Sequence, residues 1–231
     1  MNNIVFYNVL GYPTIDKFKS ICKMLDEKGV KYLEVGVPST NPFVDGNTIT
    51  TIHEHLVNDY NSETLVNILK WIKNNTQLEI ILMTYYDGFK AFNIESVDMN
   101  LYNAVLCVDN PLIEFPAIPK INVYDENKDT EEELNRKLQD NISFCYVKAS
   151  DRTGSDINNA SYKSTIERLR KQTDLPLFLG FGIKNKDDIE AALKNGADGV
   201  IIGTEFINQI NSDTKGLKYV ESYLDTLSDN V

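Results

Sequence analysis

Cysteine is scarce in this sequence, and its spacing does not suggest a metal site. The three cysteines, Cys22, Cys107 and Cys145, stand far apart, and each lies within an apolar run. A zinc site usually shows ligands only a few residues apart, as in Cys-x-x-Cys, and no cysteine here has such a neighbour. We therefore expect buried thiols in a cytoplasmic protein that binds no metal.

Basic side chains are in the minority, and long apolar runs are missing. Lysine and arginine total 23 against 34 aspartates and glutamates, which gives a formal net charge of -11. Proteins that bind nucleic acids usually have a basic surface, so we expect no such partner. The first residues show no basic segment followed by a long apolar core, and no stretch of about 18 apolar residues occurs, so we expect neither secretion nor association with a membrane. A small anionic substrate is still compatible, because backbone N–H groups can bind a phosphate.

Short apolar segments alternate along the chain with amphipathic segments. Strands that alternate with helices are typical of a parallel sheet. Eight such units in 231 residues, with no linker between them, predict one (β/α)8 TIM-barrel domain over residues 1–231, and a doubly wound sheet is the alternative. The predicted strands are 3–10, 31–36, 79–84, 103–109, 120–124, 143–149, 176–180 and 198–203, and the predicted helices include 14–28, 62–75, 128–140, 160–171 and 186–195.

The connection between the fourth and fifth strands is unusually short. Only the ten residues NPLIEFPAIP, 110–119, separate Asp109 from Lys120, and three of them are prolines. Proline lacks the N–H group that a helix interior needs. The sequence therefore predicts that the helix after the fourth strand is absent or reduced to a turn.

Two glycine-bearing loops follow the seventh and eighth strands. Gly180-Phe181-Gly182 ends the seventh strand, and Gly203-Thr204 follows the eighth and precedes a short helix. In phosphate-binding barrels these two loops and that helix hold the phosphate, because glycine lets the backbone approach the anion closely. We expect Gly182, Gly203 and Thr204 to bind a phosphate. The alternative is that these glycines only form turns.

The second strand contains a carboxylate that is predicted to face the inside of the barrel. Leu33, Val35 and Val37 alternate along this strand and are suited to packing against the outer helices. Glu34 must then point inward, near the end of the barrel where active sites lie. Asp45, in the loop that follows, would lie over the same opening, although Asp45-Gly46 by itself indicates only a turn. The alternative for Glu34 is a structural ion pair.

Four segments together resemble the tryptophan synthase alpha chain family. They are LEVGVPSTNPFVDGNTI (33–49), ILMTYY (81–86), GFGI (180–183) and NGADGVIIGT (195–204), and the similarity runs from about residue 8 to residue 228. The resemblance implies a lyase that cleaves indole-3-glycerol phosphate to indole and glyceraldehyde 3-phosphate. It also implies that no cofactor is needed and that a beta chain is the partner, in an alpha2beta2-type complex.

The resemblance also implies roles for particular side chains. Glu34 becomes the general acid and base that protonates the indole ring carbon and takes the proton of the glycerol hydroxyl. Asp45 becomes the carboxylate that accepts the indole N–H, and Tyr146 becomes a catalytic group beside Glu34. Substrate binding is assigned to Tyr85, Gly154 and Phe181, in addition to the three phosphate-binding residues.

Several positions depart from the family pattern. The first strand is predicted to start almost at Met1, so we expect the family's amino-terminal helix to be missing. Asn41 and Asp87 replace an aspartate and an asparagine that the family has near its beta-chain contact. The segment after the sixth strand, 150–158, is shorter than the family's lid over the substrate.

Lys148 is the most unusual of the departures. By strand alternation it shares a face with Tyr146 and points into the barrel, where the family has an apolar residue. We expect an ion pair with Glu34, which would lower the pKa of that carboxyl and slow the lyase, and the alternative is a side chain that extends toward the mouth of the barrel. Two other functions stay open. One is a Schiff-base aldolase that uses Lys148 on another phosphorylated substrate, and the other is a non-catalytic phosphate-binding subunit.

Overall fold

Eight parallel strands form the centre of the computed structural model. The structure describes residues 1–125, 128–149, 159–180, 182–213 and 216–228. All eight predicted strands are confirmed, and all but the third are shortened by one to three residues at one or both ends. Their bounds are β1 Ile4–Val9, β2 Tyr32–Gly36, β3 Glu79–Thr84, β4 Ala104–Cys107, β5 Val123–Tyr124, β6 Cys145–Lys148, β7 Leu177–Gly180 and β8 Gly199–Ile202.

The strands are connected mainly by α-helices. Those of the described residues are α1 Ile15–Glu27, α2 Asn47–Leu56, α3 Ser62–Asn75, α4 Tyr86–Ala91, α5 Glu131–Asp140, α6 Asn159–Leu169, α7 Lys186–Lys194, α8 Thr204–Ser212 and α9 Lys218–Ser228. The five predicted helices correspond to α1, α3, α5, α6 and α7, and the short helix predicted after Gly203-Thr204 is α8. The sequence patterns did not identify α2, α4 and α9. In the part of the chain that is described, none of these helices is long and apolar enough to cross a membrane.

The sheet is closed into a barrel by the segment that precedes β5. The strand order is β4-β3-β2-β1-β8-β7-β6-β5, which leaves β4 and β5 at the two edges. Lys120 forms parallel bridges to Val105 of β4 and to Asn141. The backbone N–H of Ile121 also donates to the carbonyl oxygen of Val105 over 3.1 Å. The predicted (β/α)8 barrel is therefore confirmed, and the doubly wound alternative is not what forms.

Side-chain caps explain where several helices begin. Thr130 and Glu133 form a capping box at the start of α5, so this helix starts at Glu131 and not at the predicted residue 128. Asn185 and Asp188 form the same arrangement at α7. In contrast, Gly46 precedes α2 without a side-chain cap, which removes the usual signal for a helix start.

The connection after β4 contains no helix, as predicted. Residues 110–119 are all described, and they form turns between β4 and the segment that closes the barrel. Leu112 and Ile118 anchor this connection in the hydrophobic core. The first element of the barrel is β1, and no helix precedes it among the described residues.

The inside of the barrel is filled in layers, with an aromatic layer below the carboxylate. The rings of Tyr32, Phe144 and Phe178 contact one another with centroid separations of 4.7–6.2 Å. Glu34 and Tyr146 lie two residues further along β2 and β6, toward the carboxyl ends of the strands. The aromatic layer thus closes the barrel from below, and the next layer forms the floor of an open cavity.

Candidate active site

A cavity of about 380 Å³ opens at the carboxyl ends of the strands. This is the end at which barrel enzymes place their active sites. The structure brings most of the predicted site residues together there. Those that line the cavity are Glu34, Asp45, Tyr146, Gly182, Gly203 and Thr204. Tyr85 lies directly behind Asp45, whereas Gly154 and Phe181 fall outside the described residues.

Glu34 is buried at the floor of the cavity, with only 1% of the residue exposed. Its Oε1 atom has no hydrogen-bond partner within the described structure. Burial raises the pKa of Glu34 to about 8, and the negative charge of Asp45 adds to this effect. Glu34 is therefore protonated at neutral pH and can give a proton to a bound molecule.

Lys148 does not pair with Glu34, so that prediction was wrong. Its Nζ atom lies 3.3 Å from Oδ2 of Asp125, and the two side chains are 11% and 12% exposed. Asp125 follows β5, and the pairing of Tyr124 with Val147 places it opposite Lys148 on the inner face. The raised pKa of Glu34 also contradicts the expected lowering. The prediction of a slowed lyase accordingly loses its physical basis.

Asp45 is held at the edge of the cavity by Tyr85. The Tyr85 hydroxyl donates to Oδ2 of Asp45 over 2.9 Å and accepts the backbone N–H of Val44 over 3.3 Å. Burial and the neighbouring Asp45 both raise the pKa of Tyr85 above its usual value, so the phenol stays protonated and remains a donor. The loop after β2 is thereby fixed with its carboxylate directed toward the cavity.

Tyr146 and Tyr7 add two protonated phenols to the cavity wall. The pKa of each is raised, mainly by burial, and nearby carboxylates contribute. Tyr146 was predicted from the resemblance, whereas sequence reasoning missed Tyr7. The segment IVFYNV of β1 has the composition of an ordinary buried strand, in which a tyrosine is not distinctive. In the sheet Tyr7 pairs with Glu34, and this register brings Tyr7 into the wall of the cavity.

The loop after β2 is attached to α4 through Asp87. Its carboxylate accepts hydrogen bonds from the Ser39 hydroxyl over 2.7 Å and from the Thr40 backbone and hydroxyl over 2.7 and 2.6 Å. These hydrogen bonds lower the pKa of Asp87, although its partial burial acts in the opposite direction. Asp87 thus organises the loop that contains Asn41.

The predicted phosphate-binding groups meet at one side of the cavity. Gly182 has a φ of +83°, a backbone conformation that strongly favours glycine. Gly203 precedes α8, and Thr204 is the first residue of that nine-residue helix. The Thr204 hydroxyl is buried without a hydrogen-bond partner in the described structure. A helix amino terminus together with an unsatisfied buried hydroxyl forms a site suited to an anion.

A metal centre is not indicated by the residues that the structure describes. Within them, no three histidine, cysteine, aspartate or glutamate side chains come together in a way that could hold an ion. The groups that line the described site include protonated phenols, the acidic side chains of Glu34, Asp45 and Glu205, the Lys184 side chain and backbone N–H groups. Such groups can transfer protons and bind a phosphorylated molecule.

Comparison with known proteins identifies relatives along almost the whole chain. The family model described as tryptophan synthase alpha chain matches residues 1–230. The tryptophan synthase alpha chain of Karelsulcia muelleri is 30% identical over 239 residues, with 95% of this chain and 94% of the relative covered. That of Archaeoglobus fulgidus is 26% identical over 222 residues, with 90% and 89% covered.

The fold is also that of a solved relative. The crystal structure of tryptophan synthase subunit alpha from Legionella pneumophila superposes with a TM-score of 0.84 at 21% identity. The superposition covers 100% of this chain and 94% of the Legionella chain. At this level of identity the likeness shows the architecture.

Proposed function

The chain belongs to the tryptophan synthase alpha chain family, and we propose that it performs the family's reaction with Glu34 and Asp45 as catalytic carboxylates. The enzyme is a carbon–carbon lyase of tryptophan biosynthesis that cleaves indole-3-glycerol phosphate to indole and glyceraldehyde 3-phosphate. The observation that supports our assignment best is a buried, protonated glutamate next to an aspartate, in a cavity whose other side is suited to a phosphate.

Glu34 supplies and then removes a proton. Its protonated carboxyl donates to the ring carbon that bears the glycerol chain, and this leaves a positive charge on the ring nitrogen. The resulting carboxylate takes the proton of the glycerol hydroxyl next to the ring. The electrons of the breaking C–C bond return to the ring, and the hydroxyl carbon becomes the aldehyde. A carboxyl with a pKa of about 8 is suited to both steps near neutral pH.

Asp45 stabilises the charge that develops in the intermediate. The ring N–H becomes more acidic as the ring loses aromaticity, and Asp45 accepts its hydrogen bond. An interaction that strengthens only in the intermediate accelerates the reaction, whereas one equally strong in the ground state would not. Tyr85 keeps Asp45 in place, and Tyr146 stands beside Glu34 as a donor to the reacting groups. We also assign Gly154 and Phe181 to substrate binding, on the family resemblance alone.

The first prediction concerns the pH dependence of the reaction. Because the free enzyme must begin with Glu34 protonated, kcat/KM is expected to fall about tenfold per unit as the pH rises above about 8. A series of initial rates of indole release between pH 4 and pH 10 measures this decrease. A profile that instead rises through pH 4–5 and stays level to pH 10 would show that Glu34 acts from its ionised form.

The second prediction concerns the phosphate. We propose that Gly182, Gly203 and Thr204 bind it, with the Thr204 hydroxyl as one donor. Thr204→Val is expected to raise KM by about ten- to a hundredfold with little change in kcat, because a hydrogen bond to a charged group contributes about 1.5–3 kcal/mol. Thr226→Val, on α9, serves as the matched control. An unchanged KM in Thr204→Val would place the phosphate elsewhere.

The partner proposed for this chain is a tryptophan synthase beta chain, in an alpha2beta2-type complex. Two large apolar side chains, Phe43 after β2 and Ile113 after β4, are more than half exposed on loops at the open end of the barrel. Exposed apolar side chains in one region often mark a protein interface. Asn41 lies in the same loop as Phe43, so its departure from the family pattern falls at the proposed contact.

We further propose that residues 1–231 form one domain in the cytoplasm. A single hydrophobic core that extends from Ile4 of β1 to Leu227 of α9 supports the first point. The three cysteines have free thiols, which is the usual state in a reducing compartment and supports the second.

A further inference from the structure

Tyr7 lies against the catalytic glutamate. It is paired with Glu34 on the neighbouring strand, and both side chains line the cavity. The Tyr7 hydroxyl lies over Gly36, where a Cβ atom would collide with it. Gly36 is two residues beyond Glu34 on the same face of β2, toward the open end of the barrel. The absence of a side chain at this position therefore lets the phenol reach the space above Glu34.

The hydrogen bonds around His53 determine the direction in which the Tyr7 hydroxyl donates. The backbone N–H of Ser39 donates to Nδ1 of His53 over 3.0 Å, so Nδ1 carries no hydrogen. Burial lowers the pKa of His53 to about 4, which makes the ring neutral near pH 7. The remaining ring hydrogen is on Nε2, which lies 3.1 Å from the Tyr7 oxygen and donates to it. The Tyr7 hydroxyl therefore accepts a hydrogen bond from His53, and its own hydrogen is available to donate to a different acceptor.

The negatively charged acceptors nearest to Tyr7 are the carboxyl groups of Asp45 and Glu34, and Asp45 already accepts the Tyr85 hydroxyl. Glu34 offers Oε1, which has no partner in the described structure. The titratable and charged groups that surround Glu34 come from every side of the opening. They are Tyr7 of β1, Asp45 after β2, Tyr85 after β3, Tyr146 of β6, Lys184 after β7 and Glu205 of α8.

We propose that Tyr7 is a positioning residue that donates a hydrogen bond to the Glu34 carboxylate when that carboxylate is ionised, and that His53 fixes the direction of this donor. The series from Ser39 through His53 to Tyr7 begins at a backbone N–H, which does not exchange protons during a reaction. It therefore acts as a chain of aligned donors that strengthen one another, and not as a proton relay.

The ionised form of Glu34 is the one that follows proton transfer to the ring. A donor that stabilises this form makes Glu34 a stronger acid and speeds the transfer. Tyr7→Phe is expected to raise the pKa of Glu34 by about one unit, which corresponds to a tenfold change in its acid dissociation constant. His53→Leu is expected to raise the pKa in the same direction, and to add nothing once Tyr7 is already phenylalanine, because it acts through Tyr7.

The test is a 13C NMR titration of the side-chain carboxyl of Glu34, assigned by comparison with Glu34→Gln. The variants are Tyr7→Phe, His53→Leu and their combination, with circular dichroism to check the fold. Tyr162→Phe is the matched control, since it removes the hydroxyl of a buried tyrosine outside the barrel and should leave the pKa of Glu34 unchanged. An unchanged pKa in Tyr7→Phe, or in His53→Leu if the first variant does not fold, would overturn the proposal.

The consequence for catalysis rests on the proposed function, whereas the titration does not. In the lyase assay, Tyr7→Phe should lower kcat about tenfold with a nearly unchanged KM. The pH above which kcat/KM falls should be higher in this variant, because the pKa of Glu34 is higher. If the wild-type protein does not cleave indole-3-glycerol phosphate but the titration shows the shift, the function fails and the hydrogen bond stands. If the wild type cleaves it and the titration shows no shift, the hydrogen bond fails and the function stands.

Discussion

Glu34→Gln is expected to lower kcat for indole release by about 10²–10⁴-fold, the usual contribution of a general acid or base. Glutamine has nearly the same shape as the protonated glutamate that occupies this buried position, so the fold should be retained. It cannot give a proton to the ring carbon or take one from the glycerol hydroxyl, and both steps of the proposed mechanism are lost. The measurement is steady-state indole release, with circular dichroism as the check on folding.

A suitable control for this variant is Glu79→Gln. Glu79 lies at the first position of β3, at the opposite end of the barrel, where it pairs with Lys31 over 3.5 Å. Surface ion pairs of this kind contribute about 0–1 kcal/mol to stability, so the control should remain active. A Glu34→Gln protein that kept a rate close to that of the control would show that the assigned mechanism is wrong.

Asp45→Asn is expected to lower kcat by about 10²–10³-fold, because a preorganised group that stabilises developing charge typically contributes this much. The variant keeps an oxygen that can accept the Tyr85 hydrogen bond, so the loop should stay in place. It loses the negative charge opposite the ring nitrogen. The same charge helps to raise the pKa of Glu34, so the titration of Glu34 should move to lower pH in this variant.

This second effect separates an electrostatic role from a structural one. A disordered loop would reduce activity without a defined change in the titration of Glu34. Asp59→Asn, an exposed position beyond α2, is the matched control. If Asp45→Asn left both the rate and the titration unchanged, Asp45 would have no part in the reaction.

The position of Glu34 could be predicted from the sequence because strand alternation depends only on local geometry. Three apolar residues on one face of β2 were enough to direct the glutamate inward, and the structure confirms it. The residues that we propose to bind the phosphate were chosen for a similar reason, since glycines at two strand ends are visible in the sequence. Gly182, Gly203 and Thr204 all line the cavity.

The partners of these residues could not be predicted in the same way. Alternation correctly placed Lys148 on the inner face, but it does not specify which residue of the next strand lies opposite. Asp125 comes directly after the two-residue strand β5, where the sequence gives no register, so the pairing with Glu34 was the wrong choice. His53 was missed because it lies on α2, a helix without a side-chain cap.

The two other functions considered for this scaffold are less well supported by the site. A Schiff-base aldolase would need Lys148 in the cavity, whereas its ammonium group pairs with Asp125 and does not line the cavity of the described residues. A subunit that only binds phosphate would have no use for a buried glutamate next to an aspartate, since burying a carboxyl without a partner is costly.

The most direct measurement is the turnover of indole-3-glycerol phosphate by the purified chain, alone and with a tryptophan synthase beta chain. The proposed function predicts release of indole and glyceraldehyde 3-phosphate in equal amounts, at a rate unaffected by prior treatment with substrate and borohydride, because no imine forms. Failure to release indole under either condition, or a rate abolished by borohydride in the presence of substrate, would contradict it.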